Sequence, residues 1–323
     1  VTRSPARVAL DLMGGDAAPD AVLDGALLAT DERPDLTVLL VGPEEVAAAA
    51  LTARHAAGRF EVVPAAQVVA MDEDPARAVR SKKDATVRVA ARLVRDGHAD
   101  ACVSVGSTGA AIAAALFTLG RLPGVTRPAI AVVVPAPNGR VVLVDAGANP
   151  DAGPDLLAQF ALTGAAYAAT LGIDAPRVGL LSNGAEPGKG DALRREAYAL
   201  IDALPVDFVG NVEGHDVALG GRADVVVTDG FTGNVLLKGL EGALSMNGAP
   251  PDHLDPERHG GAMLLGVDGI AVVGHGGATA RAVATCLGIA ADAVHTGLLG
   301  TLTATLRDLV ARRRAQAGLE AVR

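Results

Sequence analysis

Short runs of β-branched and aliphatic residues alternate with alanine-rich stretches along the whole chain. The apolar runs predict strands at Val8–Leu12, Thr37–Val41, Phe60–Val63, Ala101–Val105, Ile130–Val134 and Val141–Val144. Four more are predicted at Val178–Leu181, Phe208–Val212, Val225–Thr228 and Ile270–Val273. Most are continuously apolar instead of alternating in and out, which suits strands covered on both faces by helices. Helices are predicted over Ala18–Thr30, Asp84–Asp96, Ala110–Leu119, Asp155–Leu171, Asp191–Leu204 and Thr279–Gly288. The alternation predicts an α/β fold, a mostly parallel sheet with crossover helices. Ligands in such folds bind beyond the carboxyl ends of the strands. The polar, three-proline segment from Asn247 to Pro256 cannot be a regular helix or a central strand. It reads as an exposed loop between two ordered halves.

Composition narrows the function classes. With 323 residues, half of them hydrophobic, the chain can bury a large core. No apolar run of 18 or more residues escapes charge or Gly/Pro punctuation, so no transmembrane helix is expected. The first apolar stretch reaches Asp11 at once and reads as a strand, not a signal peptide. Acidic residues outnumber basic ones by 37 to 28, for a net charge of −9, which argues against a nucleic-acid binder. Aromatics make up only 2%, so platforms for stacking bases are scarce. The two cysteines, Cys102 and Cys286, sit in apolar runs and read as buried reduced thiols. No Cys/His spacing suggests zinc, and no metal is expected.

Glycine-rich loops follow several predicted strands. They are Asp11-Leu12-Met13-Gly14-Gly15-Asp16, Gly106-Ser107-Thr108-Gly109, Asp145-Ala146-Gly147-Ala148-Asn149, the stretch from Ser182 to Asp191, and Asp229-Gly230-Phe231-Thr232-Gly233-Asn234, with a later turn at Gly274-His275-Gly276-Gly277. Glycine lets backbone approach a ligand closely, and free N–H groups at a helix start attract anions. One such loop serves equally well as a tight turn; several in one chain tilt the reading towards an anion site. Gly188-Lys189-Gly190 is not a nucleotide P-loop, because Asn183 stands five before Gly188 and Gly190 replaces the magnesium-binding Ser/Thr. No GxGxxG fingerprint occurs either, so ATP and NAD are poorly supported. Lys189, flanked by flexible backbone, is either a solvated surface lysine or a point charge aimed at phosphate. Asn234 is either a helix N-cap or an amide that holds an oxyanion. Arg88, Arg92 and Arg95 recur at i, i+4, i+7, as the wet face of a helix or as a docking stripe for an acidic partner.

In this order, the stretches DLMGGDAAPD, SKKDATVRVAARLVRDGHADACVSVGSTGA, VDAGANPD, RVGLLSNGAEPGKGDAL, FVGNVEGHD, ADVVVTDGFTGNVLLKGLEGA and GGAMLLGVDGIAVVGHG resemble the bacterial phosphate acyltransferases of phospholipid synthesis. The resemblance implies a single cofactor-free domain over 1–323, with a three-layer α/β/α fold like the isocitrate and isopropylmalate dehydrogenases. It also implies a homodimer, cytoplasmic or peripheral on the inner face of the membrane, that moves a fatty acyl group from acyl carrier protein to inorganic phosphate, for a membrane glycerol-3-phosphate acyltransferase to use next. The family's catalytic lysine and asparagine fall on Lys189 and Asn234. Substrate contacts fall on Asp11, Gly14, Gly15, Asp16, Gly106, Ser107, Thr108, Gly109, Asn149, Gly188, Gly190, Gly233 and His275, and carrier docking on Arg88, Arg92 and Arg95.

Departures from the family pattern are Ala17 for a histidine, Ser107 for an asparagine, and Gly277-Ala278 for two hydroxyl residues. The family also carries a long apolar helical hairpin, tied to membrane contact and the dimer surface, where this chain has only Ala243 to His259. Two alternatives therefore stand beside the main expectation. One is a small-acyl phosphotransacylase using acyl-CoA; the other is a non-catalytic paralogue that binds the carrier.

Overall fold

In the computed structural model, which describes residues 4–246 and 251–308, every apolar run predicted as a strand is one. The strands are β1 (Ala6–Asp11), β2 (Leu36–Gly42), β3 (Glu61–Pro64), β4 (Ala101–Ser104), β5 (Ala129–Ala136) and β6 (Gly139–Val144). They continue with β7 (Arg177–Leu181), β8 (Asp207–Val212), β9 (Val225–Val227), β10 (Ala262–Leu265) and β11 (Ile270–Val273). The pattern misses β10, whose Ala-Met-Leu-Leu sequence has no β-branched residue and owes its conformation to antiparallel pairing with β11.

The helices are α1 (Asp20–Glu32), α2 (Glu44–Ala53), α3 (Pro75–Ser81), α4 (Thr86–Arg95), α5 (Thr108–Thr118) and α6 (Pro154–Thr170). They continue with α7 (Ala192–Asp202), α8 (Gly214–Leu219), α9 (Gly230–Met246), α10 (Pro256–His259) and α11 (Ala280–His295). All six predicted helices are present. Helix α9 had no predicted range, although the N-cap reading of Asn234 implied a helix after it, and its four glycines disfavour one. Leu236, Leu237 and Leu240 pack on a buried sheet cluster that includes Leu143, Val212 and Val226, and this tertiary packing overrides weak propensity. Of the predicted loop from Asn247 to Pro256, residues 247–250 lie outside the described part. Asp252–Leu254 makes one 3₁₀ turn, and α10 begins at Pro256.

The chain divides into two compact units, Val1–Gly120 with Pro251–Thr296, and Arg121–Pro250 with Gly297–Arg323. In the first, strands run in the order β3-β2-β1-β4-β11-β10, parallel except for β10 against β11. Val8, Ala9 and Leu10 are all fully buried, so both faces of β1 are covered. Helices α1 and α11 pack together, with α11 over β1, β4 and β11, while α4 packs over β1, β2 and β4 and α5 over α4. In the second unit the order is β5-β6-β9-β7-β8, parallel except for β5 against β6. The long helix α6 is buried along most of its length against β6, β7 and β9.

The parallel strands set the site's location. In the first unit the carboxyl ends of neighbours β1, β4 and β11 deliver the loops at Asp11, Ser104 and Gly274. In the second, neighbours β6, β9 and β7 deliver those at Asp145, Thr228 and Ser182. No described helix is by itself long and apolar enough to cross a membrane.

Helix α1 approaches α11 closely because Gly25 has no side chain: a Cβ there would lie 2.5 Å from Val283 Cβ and 2.7 Å from the Ala280 carbonyl oxygen. Gly25→Ala should therefore cost about 1–3 kcal/mol by overpacking. Gly239→Ala, in open space on α9, should be neutral or stabilise by about 0.5–1 kcal/mol. Denaturant unfolding of both variants checks the pair; equal effects would refute the packing argument.

Candidate active site

In the first unit three loops interlock through glycine. A Cβ on Gly14 would lie 2.9 Å from the Gly106 nitrogen, and one on Gly15 would lie 3.0 Å from the Gly276 carbonyl oxygen. The Asp16 N–H donates to that same Gly276 carbonyl at 2.8 Å, which joins the loops after β1 and β11. Ser107 is the N-cap of α5, its hydroxyl accepting the Ala110 N–H, so the helix starts two residues earlier than the sequence indicates. Thr108 opens that helix, and Gly109 lies against Pro75. The Asp16 and His275 side chains are exposed.

Asp11 lies under these loops, 3% exposed. Its Oδ2 accepts the Ser104 hydroxyl at 2.8 Å, and Ser104 Oγ in turn accepts the Gly106 N–H. Asp11 Oδ1 is buried with no hydrogen-bond partner among the described residues. Burial pushes the Asp11 carboxyl above the usual range, against the opposing influence of Thr86, Ser104 and the Met13 amide.

The second unit contains two buried polar hubs. Asp145 is fully buried at the end of β6. Its carboxylate accepts the N–H groups of Ile130, Gly147, Ala148 and Asn149, at 2.7–3.2 Å, together with the Asn149 side-chain amide. Asn149 Nδ2 also donates to the Pro128 carbonyl, so this buried side chain holds the loop together. The loop's own amides are thereby engaged internally. Gly233 is required here, because a Cβ would come within 2.0 Å of the Asp145 carbonyl oxygen. Asn234 is not an N-cap: α9 begins at Gly230, and Asn234 sits one turn inside it with an exposed side chain whose Nδ2 donates to the Ala146 carbonyl at 3.3 Å.

The second hub is Arg194, only 8% exposed near the start of α7. Its guanidinium donates to the Leu181 carbonyl, to Asp191, to the hydroxyls of Thr228 and Thr232, and to Asp229. Burial pushes Asp229 up, but the Thr232 N–H and hydroxyl and the Arg194 charge outweigh it and hold the carboxyl below the usual range. This pair ties the Lys189 loop to the start of the Asn234 helix. Gly190, at φ +96°, packs against Arg194 Cβ, and its N–H donates to Asn183 Oδ1 at 3.0 Å. Gly188 has φ +89° and open space around it. Lys189 is exposed and forms no ion pair among the described residues. Ser182 Oγ lies buried beside Gly190 without a partner there.

Sequence reasoning placed Lys189 and Asn234 on glycine-rich loops but did not identify Arg194, Asp229 and Asp145 as the groups that shape those loops. A signal existed: each aspartate ends an apolar strand just before a glycine-rich turn. The arginine stripe is less uniform than its spacing implies. Arg88 donates to the Val79 carbonyl at 2.7 Å, and Arg95 pairs with Asp96. Cys102 and Cys286 are buried and unbridged, and burial pushes both thiols up to about 12. No cluster of three or more His, Cys, Asp or Glu able to hold a metal occurs among the described residues.

The fold resembles a phosphotransacetylase from Streptococcus pyogenes, with a TM-score of 0.65 at 20% identity, covering 90% of this chain and 94% of that one. It also resembles a branched-chain phosphotransacylase from Enterococcus faecalis, with a TM-score of 0.63 at 18% identity, covering 90% and 99%. A 4-hydroxythreonine-4-phosphate dehydrogenase from Klebsiella pneumoniae scores 0.54 at 14% identity, covering 89% and 98%. These likenesses support the expected α/β fold. In sequence, the family described as "Fatty acid synthesis protein" matches residues 6–249. A phosphate acyltransferase from Pelotomaculum thermopropionicum is 45% identical over 94% of this chain and 96% of its own length. Others from Desulfitobacterium hafniense and Myxococcus xanthus are 43% and 44% identical, covering 91% and 92% of this chain and 95% and 92% of theirs. The chain therefore belongs to the phosphate acyltransferase family.

Proposed function

We propose that the chain moves a fatty acyl group from the thioester of acyl carrier protein to inorganic phosphate. The observation that supports this most is the placement of Lys189. It is a cation without an ion-pair partner among the described residues, carried on a loop that the buried Arg194–Asp229 pair ties to the helix bearing Asn234. With the Asp145 loop amides already engaged, Lys189 gives that cluster a charge to offer phosphate.

Phosphate dianion is nucleophilic at neutral pH, so the reaction needs positioning more than a general base. A phosphate oxygen attacks the thioester carbon and gives a tetrahedral oxyanion. The carbon–sulfur bond then breaks, the phosphate proton ends on the departing thiolate, and acyl phosphate is released. Lys189 holds the phosphate, and the Asn234 amide positions it or stabilises the oxyanion. A second reading, a small-acyl phosphotransacylase using acyl-CoA, draws on the fold shared with phosphotransacetylases.

Long-chain acyl carrier protein plus phosphate should release carrier thiol faster than acyl-CoA does. No phosphate-dependent release from either donor would sink both readings, and carrier binding without thiol release would favour a non-catalytic paralogue. Lys189→Ala and Asn234→Ala should each lower kcat/KM by roughly 10²–10³-fold, and unchanged kinetics would remove that residue from the mechanism. Arg194→Met should cost about 3–5 kcal/mol in denaturant unfolding, because Asp229 would be left buried without its cation. Asp229→Leu added to Arg194→Met should recover part of the loss; simple additivity would refute the coupling.

A further inference from the structure

Beneath the first glycine loop lies a pocket of about 110 Å³ contained within the first unit. Asp11, Thr86 and Ser104 give it polar positions, while Met13, Val68, Val69, Met71, Val87 and Ala110 give it apolar walls. No lysine, arginine or histidine lines it. Three of the lining amides are already engaged: those of Gly14, Gly106 and Ala110 donate to Asp11 O, Ser104 Oγ and Ser107 Oγ respectively. Phosphate placed here would face a buried carboxyl group with no compensating cation. A fatty chain would fit the walls but would seal Asp11 Oδ1 against hydrocarbon without a partner.

A group that is uncharged, slender and able both to donate and to accept hydrogen bonds avoids both costs. An amide does this whichever protonation state Asp11 holds. Its N–H donates to the carboxylate, or its carbonyl accepts from the carboxylic acid, the form that burial favours. The Ser107 hydroxyl at the pocket edge accepts from Ala110 and keeps its own O–H to donate.

We infer that this pocket takes an amide-bearing segment of the acyl donor, the arm that ends in the thioester, and excludes phosphate. The inference rests on the acyl-transfer reading for the identity of the donor. It divides the glycine loops by chemistry: those of the first unit select an uncharged arm, and the Lys189 loop of the second unit handles the anion.

The chain has four methionines, of which Met13 and Met71 line the pocket while Met246 and Met263 do not. With ¹³C-methyl methionine labelling, pantetheine should shift Met13 and Met71 saturably, and inorganic phosphate should leave both unmoved. Asp11→Ala should weaken pantetheine about tenfold, and Asp11→Asn, which keeps a donor and an acceptor, by no more than about threefold. In steady-state kinetics Asp11→Ala should raise KM for the acyl donor about tenfold and leave KM for phosphate unchanged. Phosphate moving Met13 and Met71, or pantetheine leaving them still in the wild-type protein, overturns the assignment even if a variant fails to fold. Thiol release from long-chain acyl carrier protein, measured on the same preparation, reports separately on the acyl-transfer reading.

Discussion

A buried guanidinium must find acceptors for its N–H groups, and this requirement shapes the second unit. Arg194 is removed from water, and no single carboxylate can satisfy it. It therefore gathers the end of β7 through Leu181, the helix cap Asp191, and Thr228, Asp229 and Thr232 at the start of α9. Those three places carry or flank Lys189 and Asn234. Each chain segment is held because the same charge would otherwise be stranded.

Asp145 acts in the same way with the signs reversed. A fully buried carboxylate gathers four backbone N–H groups and one side-chain amide, and in doing so stiffens the loop on which Gly233 rests. The glycine-rich loop after β6 resembles an anion cradle in sequence, yet the protein supplies its own anion to that cradle. Asp11 presents the contrasting case, since one oxygen accepts from Ser104 and the other has no partner among the described residues, beside a small pocket. Two aspartates at strand ends thus have different surroundings: one is saturated, and the other keeps an oxygen without a partner among the described residues.

The strands were legible because continuous apolar runs between glycine-rich turns leave few alternatives in an α/β chain. Lys189 and Asn234 stood out as candidates, one from its flanking glycines and both from the resemblance of their surrounding stretches. The extent of helix α9 was not legible, since its four glycines weaken local preference and packing against Leu143, Val212 and Val226 helps to stabilise it. Strand β10 escaped for a related reason, because its pairing partner, not its side chains, makes it a strand. For the stripe Arg88, Arg92, Arg95, regular spacing leaves out that Arg88 donates to the Val79 carbonyl.

By itself, then, the sequence determined ten strands, six helices and most of the glycine-rich turns between them, and it singled out Lys189 and Asn234 as candidates for the chemistry. These are local properties, set by hydropathy period, glycine and chain direction. Tertiary structure alone decided which charges are buried and what they hold. The Asp11–Ser104 bond spans 93 residues, Arg194–Asp229 spans 35, and Asn234 to Ala146 spans 88. No local pattern encodes such pairs. They follow from parallel strands that bring distant carboxyl ends side by side, where each buried polar group must be satisfied by a neighbour or left for a ligand.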